Sequence, residues 1–546
     1  MSYAYGVFCT MSKLNVRVFS HHFSVKFGET SPAARKIVAK FASWFEYWDW
    51  EEAGGEKFEA FQDSYSSPPT QAKLDAPPIE TDWNHPDMEY RFHINSLPLF
   101  KEILNKAGAR PEDVSYTTEP VYESVKVEIQ IKSHFKPFDE QVAIYEQLKQ
   151  PEIVSKLLGL QTGGGKSALS IFAAAHWGYR TVGFMKPGYL DKWRDDVMKQ
   201  CDIAPTQILL IGGENNKGGS EKLCWLINGL MDGWLEPTFV FISNATMRNW
   251  ISEQEKMPPG EYVPGFRIFP WEFMQACGFG FRIIDETHQD FHANFLFDLY
   301  THVEQSLSLS ATLLHRNQFI VDMYKMAYPM ENRMKVPEYR KYIRSIAWLY
   351  DIHEPRRLKT TARGRTSYSH VELEKSLHRS MKLYKQYYLM IYEVMRKTYF
   401  FERKPGEKCL IYFATRKMCE DAMMYYKQLM PDLKLAKYNQ GDSLAAALDS
   451  DVIFATLQKA GTAIDIPNLT TVILTVAIDS IQSNLQSLGR LRDLKKLYGS
   501  DRVPTFVYFV CTNIAKHMTY HKSKRDLMKE KALISTTMHH NVTLGI

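Results

Sequence analysis

The sequence predicts an α/β protein, with two units built on parallel sheets behind a small mixed α+β N-terminal region. Three observations carry that prediction. Leu157 to Ser170 (LLGLQTGGGKSALS) reads as an apolar strand end, a run of three glycines and the start of an apolar helix. Short apolar runs alternate with helical-period segments over residues 135–345 and again over 405–515, as in parallel sheets with crossover helices. Ahead of residue 133, strand-like and helix-like stretches mix, and residues 1 to about 120 carry no chemical motif. The expected division is therefore 1–132, an accessory domain; 133–345, a first lobe; 346–405, a linker or helical insertion; and 406–546, a second lobe with a basic tail.

Composition narrows the classes. A chain of 546 residues has room for about three or four ordinary domains with real cores. The net charge of +5 excludes a polycation that coats nucleic acid, so any such binding must come from local patches. No run of about 18 apolar residues occurs, and the N-terminus lacks the charged, apolar, small-residue order of an export signal. A cytoplasmic protein is expected, with neither membrane span nor export. Seven scattered cysteines form no C-x-x-C pair, which argues against a zinc ribbon or a disulfide framework.

In the N-terminal region, Ser31 to Glu52 has apolar and aromatic residues at helical spacing, with Ser31 as cap and Pro32 in the first turn, and predicts one helix. Its aromatics Phe41, Trp44, Phe45, Trp48 and Trp50 are read first as core and second as a base-stacking surface. Residues 54–86, rich in Pro, Ser, Asp and Gly, predict loop. Leu97 to Ala107 predicts a helix and Val121 to Lys132 an edge strand.

The first lobe carries most of the chemistry. Gln141 begins a helix (Val142 to Leu148) placed about twenty residues before the glycines; its amide has the paired donor and acceptor that read adenine. In Gln161-Thr162-Gly163-Gly164-Gly165-Lys166-Ser167, consecutive glycines let backbone N–H groups curl around a phosphate chain, helped by the helix N-terminus. Lys166 is placed for β- and γ-phosphates and Ser167 for Mg²⁺. The pattern G-x-x-x-x-G-K-S/T is met except that Leu160 stands at its first glycine. About 120 residues later the strand Phe281 to Ile284 delivers Asp285-Glu286-Thr287-His288, a metal-holding carboxylate beside a water-orienting one. Ser310-Ala311-Thr312 follows the next apolar strand.

The second lobe has no phosphate loop. Its strands are expected at Cys409 to Phe413, Asp451 to Ala455 and Thr471 to Val476, with Gly461-Thr462-Ala463-Ile464-Asp465-Ile466-Pro467 between the last two and Gln486-Ser487-Leu488-Gly489-Arg490-Leu491-Arg492 after them. Arg356 to Arg365 and the tail Lys516 to Lys531 are basic stretches that suit either a phosphate backbone or plain solvation.

Taken in order, Gln141, GGGKS, DETH, SAT, GTAIDIP and QSLGR resemble superfamily 2 helicases and translocases over residues 135–345 and 405–515, and within them the phage-encoded UvsW type. The resemblance implies two RecA-like lobes that hold ATP and Mg²⁺, and a DNA partner that is duplex, branched or in an R-loop. It implies that Gln141 contacts adenine and Thr162 and Gly163 to Ser167 the phosphates, that Ser167 and Asp285 serve Mg²⁺, and that Glu286 serves the attacking water. His288, Ser310, Thr312 and Gln486 would couple the nucleotide to the nucleic acid; Gly461 and Asp465 would lie near the ribose. Arg490 would be the arginine finger. The usual Q-x-x-G-R-x-x-R is broken here by Asp493, and the second arginine falls at Arg492, so either arginine suits that role. The rival expectations are an RNA helicase, the motor subunit of a restriction or defence nuclease, and a binding protein on a degenerate ATPase fold.

Overall fold

The computed structural model describes residues 14–26, 32–53, 56–67, 89–161, 163–212, 218–258, 260–310, 313, 315, 317–337, 340–362, 367–439, 441–457 and 466–545. Two compact units result, residues 1–160 with 164–337, and residues 338–546 with 161–163. Among the described residues the strands form one mixed sheet, one hairpin and two wholly parallel sheets.

The first unit begins with β1 (Leu14–Val18) and β2 (His22–Lys26), a helix at Pro32–Ser43, the hairpin β3 (Glu46–Ala53) and β4 (Glu56–Ser64), then β5 (Glu89–His93), a helix at Leu97–Lys106 and β6 (Val114–Thr118). The sheet order is β5-β2-β1-β6, with β6 parallel to β1 and the other pairs antiparallel. Phe41 of the first helix packs on Phe92 and Phe100, ring centroids 4.9 and 5.1 Å away. Two expectations fail here. The helix expected over 31–52 stops at Ser43, and Glu46–Ala53 turns into a strand paired with a stretch expected to be loop. EYWDW satisfies period 2 as well as it joins a helical pattern, and pairing with β4 decides between them.

Val121 to Lys132 is no strand either. Val125 N–H donates to Gly278 O, Val127 N–H to Gly178 O and Lys132 N–H to Gln200 O, at 3.0, 2.9 and 2.9 Å. Its backbone is satisfied by two helix ends and a turn rather than by one neighbouring strand.

The remainder of this unit is a six-stranded parallel sheet of β7 (Ser155–Leu158), β8 (Thr181–Met185), β9 (Ile208–Ile211), β10 (Phe239–Ser243), β11 (Phe281–Ile284) and β12 (Gln305–Leu309), in the order β7-β12-β11-β8-β10-β9. Strands β8, β10, β11 and β12 are buried throughout, as a sheet covered on both faces requires. Successive strands β7 and β8 are separated by β12 and β11. That reversal opens a crevice at the strands' carboxyl ends.

The second unit holds β13 (Arg344–Tyr350), β14 (Lys408–Phe413), β15 (Leu435–Tyr438), β16 (Val452–Thr456), β17 (Leu469–Leu474), β18 (Thr505–Cys511) and β19 (Ile534–His539), parallel in the order β15-β16-β14-β17-β18-β13-β19. The stretch expected to end the first lobe and open a linker is thus an inner strand of this sheet. Helices at His370–Arg379 and Met381–Thr398 bury Leu373, Leu377, Tyr387, Tyr388 and Ile391 in its core. The basic tail is a helix, Ala515–Lys531, that buries His517, Lys524 and Met528 and leads into β19. No helix among the described residues is long and apolar enough to cross a membrane.

Candidate active site

Chemistry collects at the carboxyl ends of β7, β11 and β12. After β7 the chain curls through Gly163 and Gly165, with φ of +83° and +86°, conformations that cost a residue with a Cβ far more than glycine. The helix Lys166–Trp177 starts immediately afterwards. A Cβ at Gly165 would strike the side chain of Gln141. That amide comes from the helix Asp139–Leu148; its Oε1 accepts from Phe138 N–H at 3.0 Å and its Nε2 donates to Gly164 O at 2.8 Å. Gln141 therefore braces the loop, and one N–H and one lone pair of its amide remain for a ligand. Thr162, Thr312, Gly461 and Asp465 lie outside the described residues.

Lys166 is buried, with Nζ donating to Leu160 O at 3.1 Å and lying 3.6 Å from Glu286 Oε1. Asp285 is anchored from both sides: its N–H donates to Phe184 O at 2.9 Å, and its Oδ2 accepts from Trp193 Nε1 at 2.7 Å. Burial raises the Asp285 pKa, the Glu286 charge adds to that, and Lys192, the Trp193 hydrogen bond and Lys166 oppose it. Glu286 has φ +45°, a strained backbone for a residue with a Cβ, and its buried Oε2 has no hydrogen-bond partner.

His288 Nδ1 lies 3.5 Å from that Oε2 and shares a 2.9 Å hydrogen bond with Ser310 Oγ. Burial, then the charges of Lys166 and Lys186, push its pKa down to about 4, so the ring is neutral near pH 7. Ser310 is fully buried and its N–H bonds Leu158 O at 3.2 Å, tying β12 to the start of the phosphate loop. Ser167 Oγ accepts from Lys192 Nζ at 3.4 Å, and Lys192 lies 3.6 Å from Asp196 Oδ2.

These residues fit a nucleoside triphosphate with Mg²⁺. Left-handed glycines, a buried lysine and a helix N-terminus form a phosphate cradle, and Glu286 Oε2 is an orphaned acceptor where a water would need orienting. No group of three or more His, Cys, Asp or Glu among the described residues forms a metal cage. Two oxygens, Ser167 Oγ and an Asp285 carboxylate oxygen, are the donor set expected for Mg²⁺ that keeps waters and phosphate oxygens as its other ligands.

In the second unit, Gln486 lies half-buried on the helix Ile481–Leu488. The two arginines differ. Arg490 is buried beside the Tyr412 hydroxyl, whose pKa burial pushes up to about 12 against the opposing charge of Arg490. Arg492 is half-buried and donates from Nη1 to Gly489 O. Lys192, Trp193 and Asp196 of the first unit were not singled out as functional from the sequence. All three lie on the helix Leu190–Gln200 that follows β8. A cavity of about 250 Å³, lined by Arg17, Arg91, Trp271 and His302 among others, is formed by the N-terminal sheet and the amino-terminal side of the first unit's parallel sheet, apart from this chemistry.

No protein-family profile matches the chain and no curated protein matches it. Solved structures similar to it include T4 UvsW (14% identity, 97% of this chain and 100% of that one, TM-score 0.31). Others are S. cerevisiae Dbp5 bound to RNA and ADP BeF3 (12%, 72% and 89%, 0.43) and Mss116p bound to ssRNA and AMP-PNP (11%, 73% and 74%, 0.47). At these identities and scores the likenesses add nothing to what strand order and site geometry already establish.

Proposed function

We propose that this chain is an ATP-dependent DNA helicase or translocase that unwinds or remodels duplex, branched or R-loop nucleic acid. The observation that carries the reading is the convergence of Lys166, Asp285 and Glu286 on the glycine loop at the carboxyl end of a parallel sheet. Lys166 binds and orients the phosphate chain. Glu286 accepts a hydrogen bond from the attacking water at Oε2 and takes its proton as the phosphoryl group leaves. Mg²⁺, when bound at Ser167 and Asp285, supplies charge neutralisation for the phosphoryl oxygens. Neutral His288, touching both Glu286 and Ser310, links the water-orienting carboxylate to the end of β12 and is the coupling residue.

Of the two arginines, Arg492 is the finger and Arg490 a brace of the second unit, a choice supported by the burial of Arg490 against Tyr412. DNA is preferred over RNA on the DETH box alone. ATP turnover measured without nucleic acid and with single-stranded, duplex and branched DNA and RNA tests the reading, with Lys166→Ala as the inactive control. Stimulation by DNA and loss of turnover in the variant are expected. Normal turnover in Lys166→Ala would overturn the site, and stimulation by RNA alone would make the chain an RNA helicase.

A further inference from the structure

The phosphate-loop serine already has a cation beside it. Lys192 Nζ stands 3.4 Å from Ser167 Oγ, the oxygen expected to ligate Mg²⁺, and 3.6 Å from Asp196 Oδ2 one helical turn further along the same helix. Its charge also favours the ionised form of Asp285, the other expected ligand. One ammonium thus touches a serine hydroxyl and the Asp196 carboxylate, and its charge also acts on Asp285. Three carboxylates, Asp196, Asp285 and Glu286, crowd this end of the sheet, and their mutual repulsion needs positive charge whether or not a metal is present.

We infer that Lys192 is a built-in stand-in cation: it holds Ser167 and Asp196 in place in the metal-free site, with its charge reaching Asp285, and swings aside when Mg²⁺ arrives with nucleotide. The inference rests on the proposed nucleotide site and adds a residue that sets its metal dependence. The side chain can leave, because it is 39% exposed and carries no second carboxylate contact within ion-pair distance among the described residues. Trp193, the next residue, is fully buried and fixes the helix by its bond to Asp285, so movement of Lys192 needs no backbone shift. Lys192 is thus a positioning residue. It competes with the metal for Ser167 Oγ, and its removal leaves the site more negative and more dependent on added cation.

Lys192→Met keeps the length of the side chain and deletes its charge. Two measurements on the full chain read the outcome without turnover. Mn²⁺ binding to the nucleotide-free protein, followed by electron paramagnetic resonance, should tighten about 10-fold in the variant. ADP affinity should be similar in wild type and variant with Mg²⁺ in excess, whereas in EDTA it should fall about 10-fold in the variant alone, because wild type retains the Lys192 charge beside Ser167 when the metal is gone. Lys192→Arg should stay near wild type in both. Lys192→Gln serves the same test if the methionine variant does not fold. Equal Mn²⁺ affinity and equal EDTA sensitivity in wild type and the neutral variants overturn the stand-in role while leaving the nucleotide site intact; failure of wild type to bind ADP at all overturns both.

Discussion

Replacing Trp193 with Phe isolates the indole hydrogen bond to the Asp285 carboxylate. The indole N–H lies 2.7 Å from Asp285 Oδ2, and the side chain is wholly buried with its ring 5.5 Å from that of Phe241. Phenylalanine keeps most of the ring packing and removes the donor. A hydrogen bond to a charged group contributes about 1.5–3 kcal/mol, so the Mg²⁺ concentration giving half-maximal ATPase should rise roughly 10- to 100-fold. The pH profile should move as well. Burial raises the Asp285 pKa and the Trp193 bond lowers it, so losing the bond raises it further. Because the metal takes the ionised carboxylate, the acid limb of activity should shift to higher pH, and less so as Mg²⁺ is increased. The smaller ring also costs some stability, which thermal melting reads separately. A folded Trp193→Phe protein with unchanged Mg²⁺ requirement and unchanged acid limb would show that Asp285 needs no aiming, and would remove it as a metal ligand.

Glu286→Gln should retain nucleotide binding yet turn over at least about 100-fold more slowly, since an amide cannot take the water's proton; single-turnover hydrolysis checks this, and normal turnover would make the carboxylate structural. Arg492→Ala should lower kcat by about 10³ with little change in ATP affinity, while Arg490→Ala should act mainly on the stability of the second unit. The reverse pattern would return the finger to Arg490. A fragment beginning at Ser133 strips the N-terminal sheet from the first unit and should melt well below the full chain or fail to fold. Equal melting temperatures would show that those first residues are dispensable for packing and would favour a role in gripping nucleic acid.

The site was legible where its chemistry is contiguous in sequence. GGGKS and DETH each place a whole functional group within a few residues of a strand end, and the fold brings Lys166, Glu286, His288 and Ser310 together at the carboxyl ends of β7, β11 and β12. Trp193 and Lys192 reach the same place through topology. Strand β8 lies beside β11 with Phe184 opposite Ile284, so the helix after β8 falls against Asp285, and no local pattern announces that pairing. The bracing of the loop by the Gln141 amide is not readable from the sequence, because its contact with Gly164 depends on how the loop curls.

The N-terminal region was least legible, for a reason visible in its contacts with the rest of its unit. Hydrophobic periodicity finds faces that shed water; this region does share one apolar cluster with the rest of its unit, but buried polar groups, which periodicity does not see, tie the two together as well. His21 Nε2 bonds Ser306 Oγ at 2.7 Å, His22 Nδ1 bonds Thr301 O at 3.1 Å, and His93 Nε2 lies 3.4 Å from Asp298 Oδ2. Asp298 in turn pairs with the fully buried Arg282, whose Nη1 donates to Thr301 Oγ1 at 2.7 Å. Burial alone opposes ionisation of Asp298; Arg282 and His93 together hold its carboxyl well below the usual range. Its stabilising contribution is therefore present above the unfolded carboxyl pKa and lost only as acid reaches the lower folded value. Removing either partner of such a pair leaves a charge stranded in the core, at a cost of about 3–5 kcal/mol. A module that only gripped a substrate would have no need of its histidines inside this network. Seated as they are, they make the strands β1, β2 and β5 part of the first unit's core, and any contact this region makes with nucleic acid is added to a packing role it already has.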